Sequence, residues 1–261
     1  LPEKLSNGLC SLRPNEDKCT FSAIFEWNPK GLLVNEWFGR TVIHSDRRFA
    51  YEDAQVLIEH EGEVTDSFEP VIKDLNRIAK TLREERFRHG SVNFETVEVR
   101  FELDAEGKPI AVYPRIRKDA HKLIEEFMLL ANKKVAEYVH NLKHTDPRNT
   151  MVYRVHEAPD PEKLRVFSSF AKKFGYQVTT EPKQVSKSFN ALMENIEGKA
   201  EENVLQSLAV RTMSKARYST DAVGHFGLAF PFYTHFTSPI RRYPDVMSHR
   251  LLQYYLDGGE S

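Results

Sequence analysis

The residues best placed to do chemistry lie in one run, "FYTHFTSPIRRYPDVMSHRLL", Phe232 to Leu252. It holds Arg241, Arg242 and Arg250, with His235, His249 and Asp245 among them. A guanidinium is always charged and offers a planar fork of N–H donors that matches phosphate or carboxylate. The chemistry such a cluster suggests is the holding of an anion and the stabilisation of charge that develops on it. Ser238 followed by Pro239 reads as a helix start, with Ser238 as cap and Pro239 in the first helical position. A helix start presents free N–H groups and the positive end of the dipole. Arg241 in that first turn is disfavoured unless it meets an anion. Asp245, four residues on, is expected to orient Arg241, with His249 one turn further on the same face. Pro244 is in tension with this reading, because an interior proline removes a helix bond; the helix either kinks there or begins later. The competing account is a solvated basic helix end with buried aromatics.

The rest of the chain must position that cluster. Bulk charge does not draw a polyanion: formal net charge is −1 over 261 residues, so any nucleic-acid contact has to rest on a focused basic site. Apolar residues make up 40% and charged residues 29%, a folded-protein balance with length enough for a buried core. No apolar run approaches the ~20 residues of a membrane span, and no export signal opens the sequence. Cys10 and Cys19 are the only cysteines, without CxxC or zinc spacing. They are expected as reduced, partly buried thiols of a cytoplasmic protein, a disulfide between them being the alternative. The sequence is silent on oligomeric state.

Residues 19–27 alternate and read as a strand, 28–31 as a turn and 32–45 as the returning strand. Helices are expected over 51–60 and over 68–90, the second stopped by Gly90. Two strands flank the turn at 104–109, and a long helix follows from Asp119 to Lys143. Asp160 as cap, Pro161 at the first position and Gly175 as stop define a helix over 160–175. Helical segments are expected over 186–196 and 201–216, and a last one from Ser238. Hairpins first and helices later make an α+β fold, with no linker long enough to separate domains. The basic residues Arg211, Lys215 and Arg217 read as a solvated face.

"GHFGLAFPFYTHFTSPIRRYPDVMSHRLL" closely resembles the C-terminal motif of the ribonuclease II / ribonuclease R (RNB) family of exoribonucleases. "LPEKLSNGLCSL", "DRRFAYEDAQ", "GSVNFETVEVRFELDAEGKP" and "DAHKLIEEFMLLANKKVAEY" match further blocks of that family in order and spacing, so the resemblance covers essentially all of residues 1–261. It implies an α/β-type RNB domain, antiparallel strands followed by several helices around an RNA channel. It implies removal of nucleotides one at a time from the 3′ end of single-stranded RNA, giving nucleoside 5′-monophosphates with a divalent metal such as Mg2+. By the same resemblance Arg241 holds the scissile phosphate. Phe94 caps the stack of 3′-terminal bases, although by its own pattern it reads as a strand core residue. Tyr51 sits near the last nucleotide, or is a half-buried helix-start aromatic. Glu125 contacts ribose, with Glu126 the choice if the match shifts by one. Asn132, seven residues after Glu125 on one helix face, is expected either to touch RNA or to lie in solvent. Ser238, Arg242 and Asp245 complete the expected RNA-binding set.

The family's metal-binding aspartates, in a D-x(5)-D-x-D-D pattern, lie before the "LPEKLSNGLCSL" block, and no Asp-Asp pair occurs in these 261 residues. The chain is therefore expected to be a partial RNB catalytic domain, without its own metal site and inactive or nearly so in isolation. The family's cold-shock-type and S1 domains are likewise not in it. The rival from another class is a non-catalytic RNB scaffold that binds single-stranded RNA without cutting it.

Overall fold

The computed structural model describes residues 2–93, 98–142 and 149–259. A short π-helix, Lys4–Leu9, is followed in chain order by β1 (Asp17–Trp27), β2 (Leu33–His44), α1 (Tyr51–Glu59), α2 (Glu69–Arg88), β3 (Glu98–Leu103), β4 (Pro109–Arg115) and α3 (Asp119–Asn141). Then come β5 (Tyr153–Val155), α4 (Pro161–Lys173), α5 (Val185–Ile196), α6 (Glu202–Thr212), β6 (Arg217–Ser219) and α7 (Tyr243–Leu256). Among the described residues strands pair antiparallel in three two-stranded sheets, β1–β2, β3–β4 and β5–β6, so the α+β expectation holds. The chain divides into two units, each with its own core. One comprises Leu1–Asp53, Glu125–Glu157 and Lys215–Ser261; the other comprises Ala54–Ile124 and Ala158–Ser214.

In the first unit, alternation along β1 puts Phe21, Ala23 and Phe25 on one face, opposite Arg40, Phe38 and Glu36 of β2. The turn between the strands is closed by Asn28, whose Oδ1 accepts the N–H of Lys30 and of Leu32, both at 3.0 Å. Gly31 there takes φ 76°, a conformation open to glycine. On the other face Trp37 lies over Gly39, where any Cβ would collide with the indole. The inner face packs on Val135, Ala136 and Val139 of α3, on Met151, Tyr153 and Val155, and on Leu252 and Tyr255 of α7. Val135, Val139, Met151 and Leu252 are fully buried, each worth roughly 1.5–3 kcal/mol of burial. That packing fixes α3 and α7, the two helices that carry the site.

In the second unit α4, α5 and α6 bury Leu164, Phe167, Phe189, Leu192, Ile196 and Leu205. Asp160 caps α4 as expected, accepting the N–H of Glu162 and Lys163 at 3.0 Å each. Gly90 follows α2 with φ 99°. The start of α3 is tied in by Gln55, whose Oε1 accepts the Ala120 N–H at 2.8 Å. Asn190 of α5 accepts the Asn93 N–H at 3.0 Å and donates to the Ser91 carbonyl at 2.8 Å.

Three expectations are corrected. Helix α6 ends at Thr212, because Met213 turns to extended backbone, and residues up to 216 are not helical. Cys10 and Cys19 are exposed rather than partly buried, and both are free thiols. The last helix does not start at Ser238 but at Tyr243, the later start that was the alternative raised by Pro244. Among the described residues no helix is long and apolar enough to cross a membrane.

Candidate functional site

Pro244 decides where the last helix starts. It has no N–H to donate, and its ring would clash with the carbonyl four residues back in a helix begun at Pro239. The chain instead turns through Ser238–Arg241, where the Ser238 carbonyl accepts the N–H of Arg241 (3.3 Å) and of Arg242 (3.1 Å). Helix α7 then opens with Pro244 in its first turn, where the missing N–H costs nothing. Arg241 consequently projects from a turn and is exposed.

Asp245 is fully buried and was expected to orient Arg241; it holds the neighbour instead. Its Oδ1 accepts the Ser238 N–H at 2.7 Å and the Arg242 Nη2–H at 2.8 Å, while Oδ2 lies 2.8 Å from Arg242 Nε. Spacing allowed either arginine; the turn gives the carboxylate to Arg242. Arg242 is thereby neutralised, and among the described residues no carboxylate forms an ion pair with Arg241.

The strand-like stretch before the turn is fastened residue by residue. Thr234 Oγ1 donates to the Val152 carbonyl at 2.6 Å and meets Ser248 Oγ at 3.0 Å. The Asn132 Oδ1 accepts the N–H of Phe236 (2.8 Å) and of Thr237 (3.2 Å), and its Nδ2 donates to the Tyr233 hydroxyl at 3.2 Å. The Phe236 carbonyl accepts from His249 Nε2 at 2.8 Å. The Phe236 ring packs edge-on against Phe21 at 5.5 Å. Asn132 is only 3% exposed, so the expectation of an RNA-facing or solvated side chain is corrected: its amide is taken up by the loop. His249, Thr234 and Ser248 were not foreseen in these roles, since only the fold brings a helix alongside the loop; Ser248 and His249 lie at helical spacing from Asp245, whereas nothing local marks Thr234.

Burial also sets the charge of the surroundings. His235 is pushed down to about 4 by desolvation and then by Arg242 nearby, and His249 is lowered by burial. His225 is pushed down to about 3 by burial and by His156. These imidazoles are neutral near pH 7, which leaves the arginines as the cations beside the turn. His235 Nδ1 is 2.7 Å from the Tyr218 hydroxyl, and the Arg154 guanidinium sits 4.8 Å from the Tyr218 ring centre. Arg217 is paired with Glu157 at 2.8 Å on the surface, in keeping with a solvated face. The arrangement offers an anion one exposed guanidinium on a backbone that is held on both sides.

The remaining expected residues sit as follows. Tyr51 opens α1 and is 41% exposed. Glu125 is half-buried and Glu126 is buried, both on α3. They belong to the same unit as Arg241; the hydrogen bonds of the site unite Asn132, Ser238, Arg242 and Asp245. Phe94 lies outside the described residues. Among the described residues no group of three or more His, Cys, Asp or Glu side chains could hold a metal ion. The described residues therefore do not assemble the carboxylates that a Mg2+ ion would need.

The model of the family described as RNB domain matches residues 1–258. Ribonuclease R of Aquifex aeolicus is 40% identical over 263 aligned residues, covering 100% of this chain and 37% of that protein. Mycoplasma genitalium RNase R solved in complex with ribose-methylated single-stranded RNA has a similar fold, with a TM-score of 0.87 and 27% identity over 98% of this chain and 40% of its own. The same protein in complex with double-stranded RNA gives 0.87, 27%, 98% and 45% in the same order. The chain thus spans less than half of each of these relatives.

Proposed function

This chain belongs to the RNB domain family, and from that premise we propose that it is the arginine-bearing part of an exoribonuclease acting on single-stranded RNA from the 3′ end. The observation that carries the reading is Arg241, an exposed guanidinium on a fastened turn whose neighbour Arg242 is already neutralised by buried Asp245. In this reading Arg241 grips the non-bridging oxygens of the scissile phosphate and gains strength as charge builds there in the transition state. By the family resemblance Tyr51, Glu125 and Glu126 would each contact the 3′-terminal nucleotides, and Phe94, outside the described residues, would cap their bases. Arg242 serves the turn rather than the RNA.

Release of a nucleoside 5′-monophosphate also needs an activated water. The divalent metal that would activate it, Mg2+ by the family resemblance, needs carboxylates that the described residues do not assemble. The reading therefore gives these 261 residues the phosphate-holding half of a partial RNB catalytic domain and expects little or no cleavage from them alone. The work would be cytoplasmic. RNA chemistry is supported by the relatives, one of which was solved with single-stranded RNA.

The test is Arg241→Ala in a full-length protein carrying this sequence, assayed on a 3′-ended RNA oligonucleotide with magnesium. Turnover should fall by about 10²–10³-fold while RNA affinity changes by no more than about threefold. Unchanged turnover would sink the reading in favour of a scaffold that binds without cutting.

A further inference from the structure

We propose that Asn132 is a positioning residue for Arg241, its carboxamide setting the path of the chain from which the arginine projects. The inference rests on the reading that Arg241 holds the reacting phosphate. One buried oxygen receives two successive backbone N–H groups, those of Phe236 and Thr237, at 2.8 and 3.2 Å. The other end of the same amide is fixed by the Tyr233 hydroxyl at 3.2 Å. The side chain therefore has little freedom to turn, and it transmits the position of α3 to the loop. Directly after Thr237 the chain enters the turn that Ser238 closes and Arg241 leaves.

Packing alone does not account for an asparagine here. Asparagine is a poor residue for a helix interior, and a leucine would fill comparable space on α3. Either leucine or alanine, however, would strand two N–H groups where water is scarce. The loop would shift to recover partners, and Arg241 would move with it. Misplacement of a catalytic group by about 1 Å can cost about 10²-fold in rate. Asp245 and His249 hold the turn from α7, so the loss at Asn132 should alter geometry without unfolding the site.

The test uses a full-length protein carrying this sequence, with single-turnover cleavage of a 3′-ended RNA oligonucleotide, RNA affinity by fluorescence anisotropy, and melting temperature. Asn132→Ala should slow cleavage by about 10–100-fold with affinity within about threefold of the parent. In a cycle with Arg241→Ala, the double variant should be no more than about threefold slower than Arg241→Ala alone, because the asparagine acts through the arginine. Asn132→Asp keeps the acceptor and should stay within about tenfold of the parent rate. Rates that multiply in the double variant overturn the proposal, as does a loss of affinity at unchanged rate. If Asn132→Ala does not fold, a folded Asn132→Asp decides: near-parent cleavage supports the proposal, and cleavage as slow as that of Arg241→Ala overturns it. An Arg241→Ala protein that keeps full turnover overturns the reading above and this inference with it. Collapse for Arg241→Ala with no change for Asn132→Ala overturns this inference alone.

Discussion

Asp245 is a buried carboxylate that answers two donors, the Ser238 N–H and the Arg242 guanidinium. Asp245→Asn keeps an acceptor for Ser238 but leaves Arg242, itself only 22% exposed, facing a neutral amide. Removing one partner of a buried pair costs about 3–5 kcal/mol, and the retained hydrogen bond argues for the lower end. Urea unfolding of the chain should show that loss, and an unchanged midpoint would mean the pair is energetically idle. At this scale the sequence was legible wherever a motif fixed the residue. Arg241 stood out because two arginines between two prolines need an anion or a reason. Its neighbourhood was not legible. Asp245 is three residues from Arg242 and four from Arg241, and only the turn forced by Pro244 chooses between them. Asn132 was open to a solvated reading because a helix period gives a face but not what covers it.

Among the elements, α4 shows how local chemistry can settle a boundary. Asp160 accepts two of the first free N–H groups of the helix, and Pro161 gives up none that was needed. Asp160→Ala should destabilise the chain by about 1 kcal/mol, read as a lower midpoint in thermal unfolding followed by circular dichroism. The same signature misleads at Ser238-Pro239, where a second proline five residues on makes the turn cheaper than the helix. Elements without local signatures stayed hidden. Strands β5 and β6 are three residues each and exist through pairing with each other, so no alternation could announce them. Helix α6 was expected to run too far because Arg211 to Ala216 carries no breaker; its end is set by Met213 turning away.

For the whole molecule, the buried titratable groups determine how the fold meets acid. His225 and His235 are held down to about 3 and about 4 in the folded chain, against 6.5 when free. As pH falls below about 6.5 the unfolded chain binds protons that the folded chain refuses. Stability contributed by these histidines is therefore complete above 6.5 and is lost progressively down toward pH 4 and 3. Glu69, held down to about 2 by Lys73 and His60, works in the same direction, its share being lost between 4.5 and 2. Melting temperature should fall steadily from pH 7 to pH 4. His225→Gln should flatten that dependence by up to about one proton's worth of slope, whatever it does to stability at pH 7. An unaltered slope would show that His225 does not stay neutral in the folded state.

The β1–β2 hairpin carries both tryptophans of the chain, on opposite faces. Trp27 is half-buried, with its ring edge-on to Phe25 and Phe127 at 5.9 and 6.1 Å. Trp37 lies over Gly39 and is 47% exposed. The intrinsic emission of the protein is therefore split at source into a protected and a quencher-accessible component. Both belong to the sheet against which the Arg241-bearing loop is anchored through Phe21 and Phe236, so the optical signal of this protein is a report on the footing of its own site.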